Sequence, residues 1–164
     1  MRKIMLLVLV VLSAVSCKEN TNDIADNDID PITLELKKLP KRAAVNAKAA
    51  AILKDWVAYN AFNTTFDGLY NVENMEDLDL VLEDLIEKQK ELAESEYPME
   101  FDIPQIKSRQ KVVQTFILKT SATVEYRTDP TEPAIEMINA YNALRNQFNV
   151  IVNNTLDTNL LLDE

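Results

Sequence analysis

The chain has 164 residues, a formal net charge of −10, one glycine, one cysteine and no histidine. A surface with this much negative charge repels phosphate backbones, which argues against a nucleic-acid partner. Without histidine the commonest general base and metal ligand are missing, and one glycine cannot build a glycine-rich phosphate loop, so we expect no catalysis, no metal and no cofactor.

The first sixteen residues have the pattern of a secretory signal. Arg2 and Lys3 precede an uninterrupted apolar run, Ile4 to Leu12. That run is shorter than the roughly 20 residues a membrane-spanning helix needs, and no second long apolar run follows. We therefore expect residues 1–16 to be a cleaved signal peptide, and we expect no transmembrane helix in the mature chain.

The segment that ends in the single cysteine resembles the lipobox of bacterial lipoproteins, and it reads Leu12-Ser13-Ala14-Val15-Ser16-Cys17. The resemblance implies cleavage before Cys17 and attachment of acyl chains, such as palmitate, that hold the protein on a membrane. Several chains anchor stably because each buried methylene contributes roughly 0.8 kcal/mol. Lys18, where aspartate would retain a lipoprotein at the inner membrane, implies an outer-membrane protein of the cell envelope that faces the periplasm or the surface. An ordinary signal peptide with an incidental thiol is the alternative.

The mature chain is predicted to begin with a flexible acidic tether over residues 17–30. This stretch has few large apolar groups, so it cannot bury enough surface to fold. Loss of Arg2 and Lys3 leaves 15 basic residues against 27 acidic ones, a mature net charge of −12. Any charged partner is therefore expected to be basic. Residues 31–164 are predicted to form a single helical domain, which is long enough for a core.

The apolar periodicity of residues 31–164 predicts an all-α fold, an up-down-up-down four-helix bundle. The helices are expected at about 41–66, 75–95, 104–127 and 132–158. Short connections should make successive helices antiparallel. Asn74 is predicted to be the N-cap of the second helix, and Gly68 is expected at the C-terminal cap of the first.

The fourth predicted helix carries a row of uncharged amides, which consists of Asn139, Asn142, Asn146, Asn149 and Asn153. At about 100° per residue the row lies about 160° from the apolar stripe between Met137 and Ile151, on the outer face. Asn is a mediocre helix former, and Lys or Glu would be more usual on a solvated face. We interpret the row as a candidate surface that hydrogen-bonds a polar partner, such as a glycan or another helix. An Asn-rich surface without a role is the alternative.

A second candidate contact surface lies in the connection between the second and third helices. It consists of Tyr97, Met99 and Phe101, which stand where burial is not guaranteed. The alternative is that these residues close the end of the bundle.

Three further groups favour a structural interpretation. Arg109 and Arg145 are expected at the edges of apolar stripes, and either would need a carboxylate partner if it were buried. The acidic row of Glu83, Glu87 and Glu91 fits a solvated face better than a cation site. The aromatic residues of the first helix are interpreted as core rather than as a ligand pocket, and they are Trp56, Tyr59, Phe62 and Phe66.

Two functions fit these features. The first is a lipid-anchored envelope protein that acts as a binding or scaffolding module for an envelope protein or a polar glycan. The second is an acidic inhibitor or immunity-type lipoprotein that blocks a basic envelope-targeting enzyme, with charge steering its association. The two differ in their salt response, because an association rate that depends on charge falls steeply with ionic strength. A carboxylate-based hydrolase is a minor third hypothesis.

Overall fold

The computed structural model describes residues 38–154, and this part of the chain consists of helices without any β-strand. The all-α prediction is confirmed for it. The predicted signal peptide, Cys17 and the tether lie outside the described residues. Five α-helices are present within 38–154, namely α1 Ala47–Leu53, α2 Val57–Gly68, α3 Met75–Glu94, α4 Pro104–Glu125 and α5 Thr131–Asn154, with a 3₁₀ turn at Leu69–Asn71. None of them is long and apolar enough to cross a membrane.

The helix predicted over 41–66 is wrong as a continuous element. Residues 40–46 are not helical, and the chain breaks again between α1 and α2 at residues 54–56. Trp56 has φ −88° and ψ 89°, and its indole Nε1 donates a 2.9 Å hydrogen bond to Oγ of Ser95. The amide of Asn60 donates to the carbonyls of Leu53 and Lys54 at 3.1 and 2.9 Å. The two bonds from Asn60 satisfy carbonyls that a continuous helix would have bound with its own backbone N–H groups.

The second predicted helix agrees with α3 to within one residue. Asn74 is its N-cap as predicted, and its Oδ1 accepts a 2.8 Å bond from the backbone N–H of Asp77. Gly68 ends α2 but has φ −58°, a right-handed helical conformation, so the expected left-handed cap is absent. The chain instead continues into the 3₁₀ turn, where Leu69 is fully buried.

The third and fourth predicted helices correspond to α4 and α5. Pro104 occupies the first turn of α4, where its missing N–H costs nothing. The helix ends in a Schellman motif, in which Arg127 and Thr128 donate backbone bonds to the carbonyls of Val124 and Thr123 at 3.0 and 2.9 Å. Arg127 has φ 51°, a conformation that glycine adopts more readily. The predicted extension of α5 to 158 lies beyond the described residues.

The core draws on every helix, and aromatic rings join α2 to α5. Phe66 stacks on Tyr141 with ring centroids 4.0 Å apart, and Tyr59 meets Phe148 edge-on at 5.3 Å. Phe101 packs against Phe148 at 4.6 Å and has no exposed surface. Phe101 therefore belongs to the core, and its proposed place on a contact surface is corrected.

From α2 onwards, helix neighbours follow the order of the chain, whereas α1 packs against the last helix. α3 packs against both α2 and α4, α4 packs against α5, and α1 packs against α5. This arrangement places residues 40–46 beside the amide row of α5. It also leaves a groove where α1 gives way to α2.

Candidate functional site

The amide row of α5 holds a segment of its own chain, residues 40–46, which we call the strap. Asn142 accepts a bond from the N–H of Ala43 at 2.7 Å and donates to the carbonyl of Lys41 at 3.0 Å. Asn149 repeats this pattern with Asn46 and Ala44, at 2.8 and 3.0 Å. Each side chain thus binds the strap backbone with both of its polar atoms.

A third amide completes the contact, because Oδ1 of Asn153 accepts a 3.2 Å bond from Nδ2 of Asn46. We call Asn142, Asn149 and Asn153 the amide ladder. The first two are seven residues apart on the helix, which corresponds to about 10 Å. Three residues of strap cover that distance, and three residues reach at most about 11 Å. The strap is therefore close to fully extended between Ala43 and Asn46.

The other two members of the row are free of such bonds. Asn139 and Asn146 are exposed, and their side chains have no hydrogen bond within the described residues. The expectation that the whole row lies on an open outer face is corrected, because the strap is not helical and covers part of that face. Only Asn139 and Asn146 present amides to an outside partner without competing with the strap.

Arg145 anchors the strap from beneath. It is buried, with 6% of its surface exposed. Its Nε donates to the carbonyl of Ala43 at 2.6 Å, and its Nη1 donates to Oδ1 of Asn63 at 2.6 Å and to the hydroxyl of Tyr59 at 2.9 Å. The expected carboxylate partner is absent within 38–154, and neutral oxygens hold the charge instead. Arg109 is exposed, and Gln110 takes the inward position on α4.

A hydrogen-bonded cluster surrounds the guanidinium. The hydroxyl of Tyr141 donates to Oδ1 of Asn63 at 2.7 Å, and burial raises the pKa of Tyr141 well above its ordinary value. Tyr141 is therefore a protonated donor at neutral pH. The strap's own Arg42 pairs with Asp67 and lies 3.4 Å from the same Asn63 oxygen. Burial acts to lower the pKa of Arg42, but the bond to Asp67 outweighs it and the pKa is raised.

A groove with a cavity volume of about 660 Å³ opens at the break between α1 and α2. Its wall is formed by residues at the helix break, at the end of α3 and in the connection that follows α3. The apolar lining consists of Ile52, Trp56, Val57, Ala58, Ala61, Tyr97 and Pro98, and the polar lining consists of Asp55, Glu91, Ser95 and Glu96.

Several contacts hold the aromatic floor of the groove in place. The rings of Trp56 and Tyr97 lie 4.8 Å apart, and the hydroxyl of Tyr97 donates to Oε1 of Gln110. Nζ of Lys107 sits 5.1 Å from the centroid of the Tyr97 ring. Burial raises the pKa of Tyr97, so its ring carries no charge at neutral pH. With Trp56 tied to Ser95, the floor is preformed.

The rim of the groove is acidic. Glu91 is partly neutralised by Lys88, whose Nζ lies 3.0 Å from Oε1 of Glu91. Asp55 and Glu96 are exposed and have no ion pair among residues 38–154. Val57 beside them is 80% exposed. This arrangement suits an apolar group that stands next to a positive charge.

Sequence reasoning found only part of this site. Tyr97 lines the groove, whereas Met99, two residues further on, is 85% exposed. Trp56 was predicted to lie in the core rather than in a pocket, and it is buried but also lines the groove. The other residues from the helix break were missed, because nothing in the local sequence marks a break there. One local signal was present for the strap, since Asn46 is a typical N-cap residue before the alanine-rich start of α1.

The described part of the chain contains no cluster of three or more acidic or cysteine side chains that could hold a metal ion. Comparison of the chain with protein-family models, with curated proteins and with solved structures found no match. Function is therefore inferred from the geometry of this chain.

Proposed function

We propose that the protein is a lipid-anchored component of the bacterial cell envelope that acts as a binding module without catalytic activity. The groove at the helix break is the observation that carries the binding role. Its partner is a basic segment of another envelope protein, in which an apolar side chain is flanked by Lys or Arg. The apolar group covers Val57 and the Trp56–Tyr97 floor, and the flanking charges face Asp55 and Glu96.

Charge complementarity supports this partner. Two of the three rim carboxylates, Asp55 and Glu96, have no ion pair within the described residues, and the mature chain has a predicted net charge of −12. A basic partner is attracted over a distance of about one Debye length, roughly 8 Å at physiological ionic strength. The preformed aromatic floor reduces the ordering that binding requires.

The anchor is proposed from the lipobox resemblance. Acylated Cys17 holds the protein on the outer membrane, and residues 17–30 connect the lipid to the domain. The Cys17→Ser variant should lose both radiolabelled palmitate and membrane association. Ser16→Ala, which keeps a small residue before the cleavage site, should retain both. If Cys17→Ser remains acylated and membrane-bound, the proposed anchor is wrong.

We also propose that the helices form the up-down-up-down bundle, with α1 and α2 together as the first of four rods. The contacts between successive helices, the packing of α1 against α5 and the short connections support this topology. Spin labels at the start of α3 and the end of α4 should then be close, and labels at the two starts should be far apart. A long distance in the first pair of labels and a short distance in the second pair would exclude the up-down-up-down topology.

Peptide binding tests the groove directly. The probe is a short Gly–Ser peptide with one leucine between two lysines, and its counterpart has glutamates in place of the lysines. Fluorescence anisotropy is measured with the full chain in micelles, with the signal of empty micelles subtracted. The lysine peptide should bind the wild type and should bind Val57→Arg at least about tenfold more weakly.

Leu80→Arg is the matched control, because Leu80 is 65% exposed and does not line the groove. This variant should bind the lysine peptide as the wild type does. Equal binding of both peptides, or equal loss in both Arg variants, would contradict the proposed site. Both the proposed partner and the target of the inhibitor or immunity hypothesis are basic, so in both cases association should slow as salt rises.

A further inference from the structure

Six backbone groups of the strap are bound by side chains of other elements. Tyr70 donates to the carbonyl of Pro40 at 2.8 Å, and Arg145 donates to that of Ala43 at 2.6 Å. The amide ladder binds four more groups, which are the carbonyls of Lys41 and Ala44 and the N–H groups of Ala43 and Asn46. Two strap side chains, Ala43 and Ala44, are only methyl groups.

We infer that the amide ladder, with Arg145 and Tyr70, is a binding site for an extended peptide, and that the strap of a second copy of this chain can fill it. The site binds the peptide backbone through paired hydrogen bonds from side-chain amides, much as a neighbouring β-strand would bind it through main-chain groups. It adds side-chain contacts from the peptide's arginine to Asp67 and from its asparagine to Asn153. A second copy carries the one sequence known to satisfy all of these contacts.

The break between α1 and α2 supplies the hinge for such an exchange. Residues 47–67 contain neither proline nor glycine, so no residue in them forbids a continuous helix. α1 has only seven residues and buries only Ala49 and Leu53. A helix this short is marginal by itself and gains hydrogen bonds when it joins a longer one.

Straightening the break would carry the strap away from its own ladder. A continuous helix over residues 47–68 is about 33 Å long, and the strap would project from its far end. Two copies that open in this way can each place a strap on the other's α5, which is reciprocal domain swapping. A shared membrane raises the local concentration of the copies and favours the exchange over isolated monomers.

Asn60 is the residue through which to test the hinge. Its amide binds the carbonyls of Leu53 and Lys54 only because the helix is broken there. Asn60→Ala removes this clamp and should tighten dimerisation of the full chain by at least about tenfold. Thr64→Ala is the matched control, since it raises helix propensity in α2 without touching the break, and it should leave dimerisation unchanged.

Complementation tests the exchange itself. One full-length chain carries Ala43→Pro, which removes a strap donor. A differently tagged full-length chain carries Asn142→Ala and Asn149→Ala, which removes the four bonds from the ladder to the strap backbone. Only a mixed pair contains an intact strap opposite an intact ladder. After co-expression and mild detergent extraction, capture of the mixed pair should exceed self-capture of either variant several-fold.

Two results would overturn the inference. Equal mixed capture and self-capture would mean that any dimer uses a different surface. Absence of dimer in the wild type and in Asn60→Ala would mean that the strap stays on its own chain. The Asn60→Ala chain retains both strap and ladder, so its outcome does not depend on whether the defective variants fold.

Discussion

The guanidinium of Arg145 donates to the carbonyl of Ala43 across 2.6 Å, although the two residues are 102 positions apart. This bond joins the strap at the start of the described chain to the aromatic core between α2 and α5. The same guanidinium reaches Tyr59 and Asn63, so a single buried cation connects three parts of the fold.

Replacement of this cation tests how much the network contributes. Arg145→Lys retains the charge but cannot reproduce the forked donors, which leaves the carbonyl of Ala43 and the Tyr59 hydroxyl without their partner. We expect the free energy of unfolding to fall by about 3 kcal/mol, measured by urea denaturation. Arg109→Lys on the exposed face of α4 should change it by less than about 0.5 kcal/mol. Equal effects would contradict the network.

The amide ladder provides a second stability test. Asn142→Ala and Asn149→Ala should each lower the free energy of unfolding by about 1–2 kcal/mol, because each loses two bonds to the strap backbone. Asn146→Ala makes the same chemical change on the same helix without losing such bonds. It should be neutral or slightly stabilising, since alanine is the better helix former. If Asn146→Ala were as costly as the other two, the strap contacts would not account for the loss.

Arg127 offers a stabilising substitution. It is exposed and adopts φ 51°, which costs a residue with a Cβ roughly 1–2 kcal/mol. Arg127→Gly should raise the free energy of unfolding by up to about 1 kcal/mol. Arg127→Ala removes the same side chain but keeps the Cβ, so it should show no such gain. Similar stability of the two variants would mean that the strain is absent.

Asp129 should make the turn before α5 sensitive to acid. The backbone N–H of Thr131 donates to its carboxylate at 2.9 Å and holds the pKa of Asp129 below its ordinary value of 3.8. A carboxyl group with a lowered folded pKa contributes stability above the unfolded value, and this contribution disappears as the pH falls through the folded value. The stability difference between the wild type and Asp129→Asn should therefore be fully present at pH 7 and be lost as the pH falls below 3.8 and through the lowered folded pKa. A difference that persists unchanged in acid would argue against the carboxylate bond.

Two buried glutamines in the core, Gln89 and Gln110, predict a second stabilising substitution. Gln89 is 1% exposed, and its Oε1 has no hydrogen-bond partner among the described residues, like Nε2 of Gln110. Gln89→Met keeps the shape and removes the unpaired Oε1, and it loses only the long 3.5 Å bond from Nε2 to the carbonyl of Gln110. Thermal denaturation should therefore show stabilisation by about 1 kcal/mol. Gln110→Met also removes the acceptor of the Tyr97 hydroxyl and should not stabilise.

The elements that could be predicted closely are those with an unbroken stripe and a local boundary signal. α3 follows its leucine spacing from the Asn74 cap, and α4 starts at Pro104, as predicted. The first helix failed because its break depends on distant partners. Ser95 binds Trp56 from 39 positions away, and no local pattern encodes that contact.

The candidate surfaces also combine features that local sequence predicts with features that depend on distant contacts. The angular position of the amide row follows from helix geometry, but the strap that covers part of it lies about 100 residues earlier in the chain. Phe101 stands in a connection, where the sequence alone cannot distinguish exposure from burial, and its packing on Phe148 decides the matter. Whether the row or the groove binds a partner in the envelope stays a prediction.

Photo-crosslinking in the cells that make the protein tests the binding role most directly. A photoreactive amino acid is placed at Val57 in the groove and, as the control, at Leu80 on α3. We predict that the photoreactive residue at position 57 crosslinks to one envelope protein, at an apolar residue flanked by Lys or Arg. Glu96→Lys should abolish this crosslink, and the photoreactive residue at position 80 should not form it. The same products from both positions, or none from Val57, would contradict the proposed function.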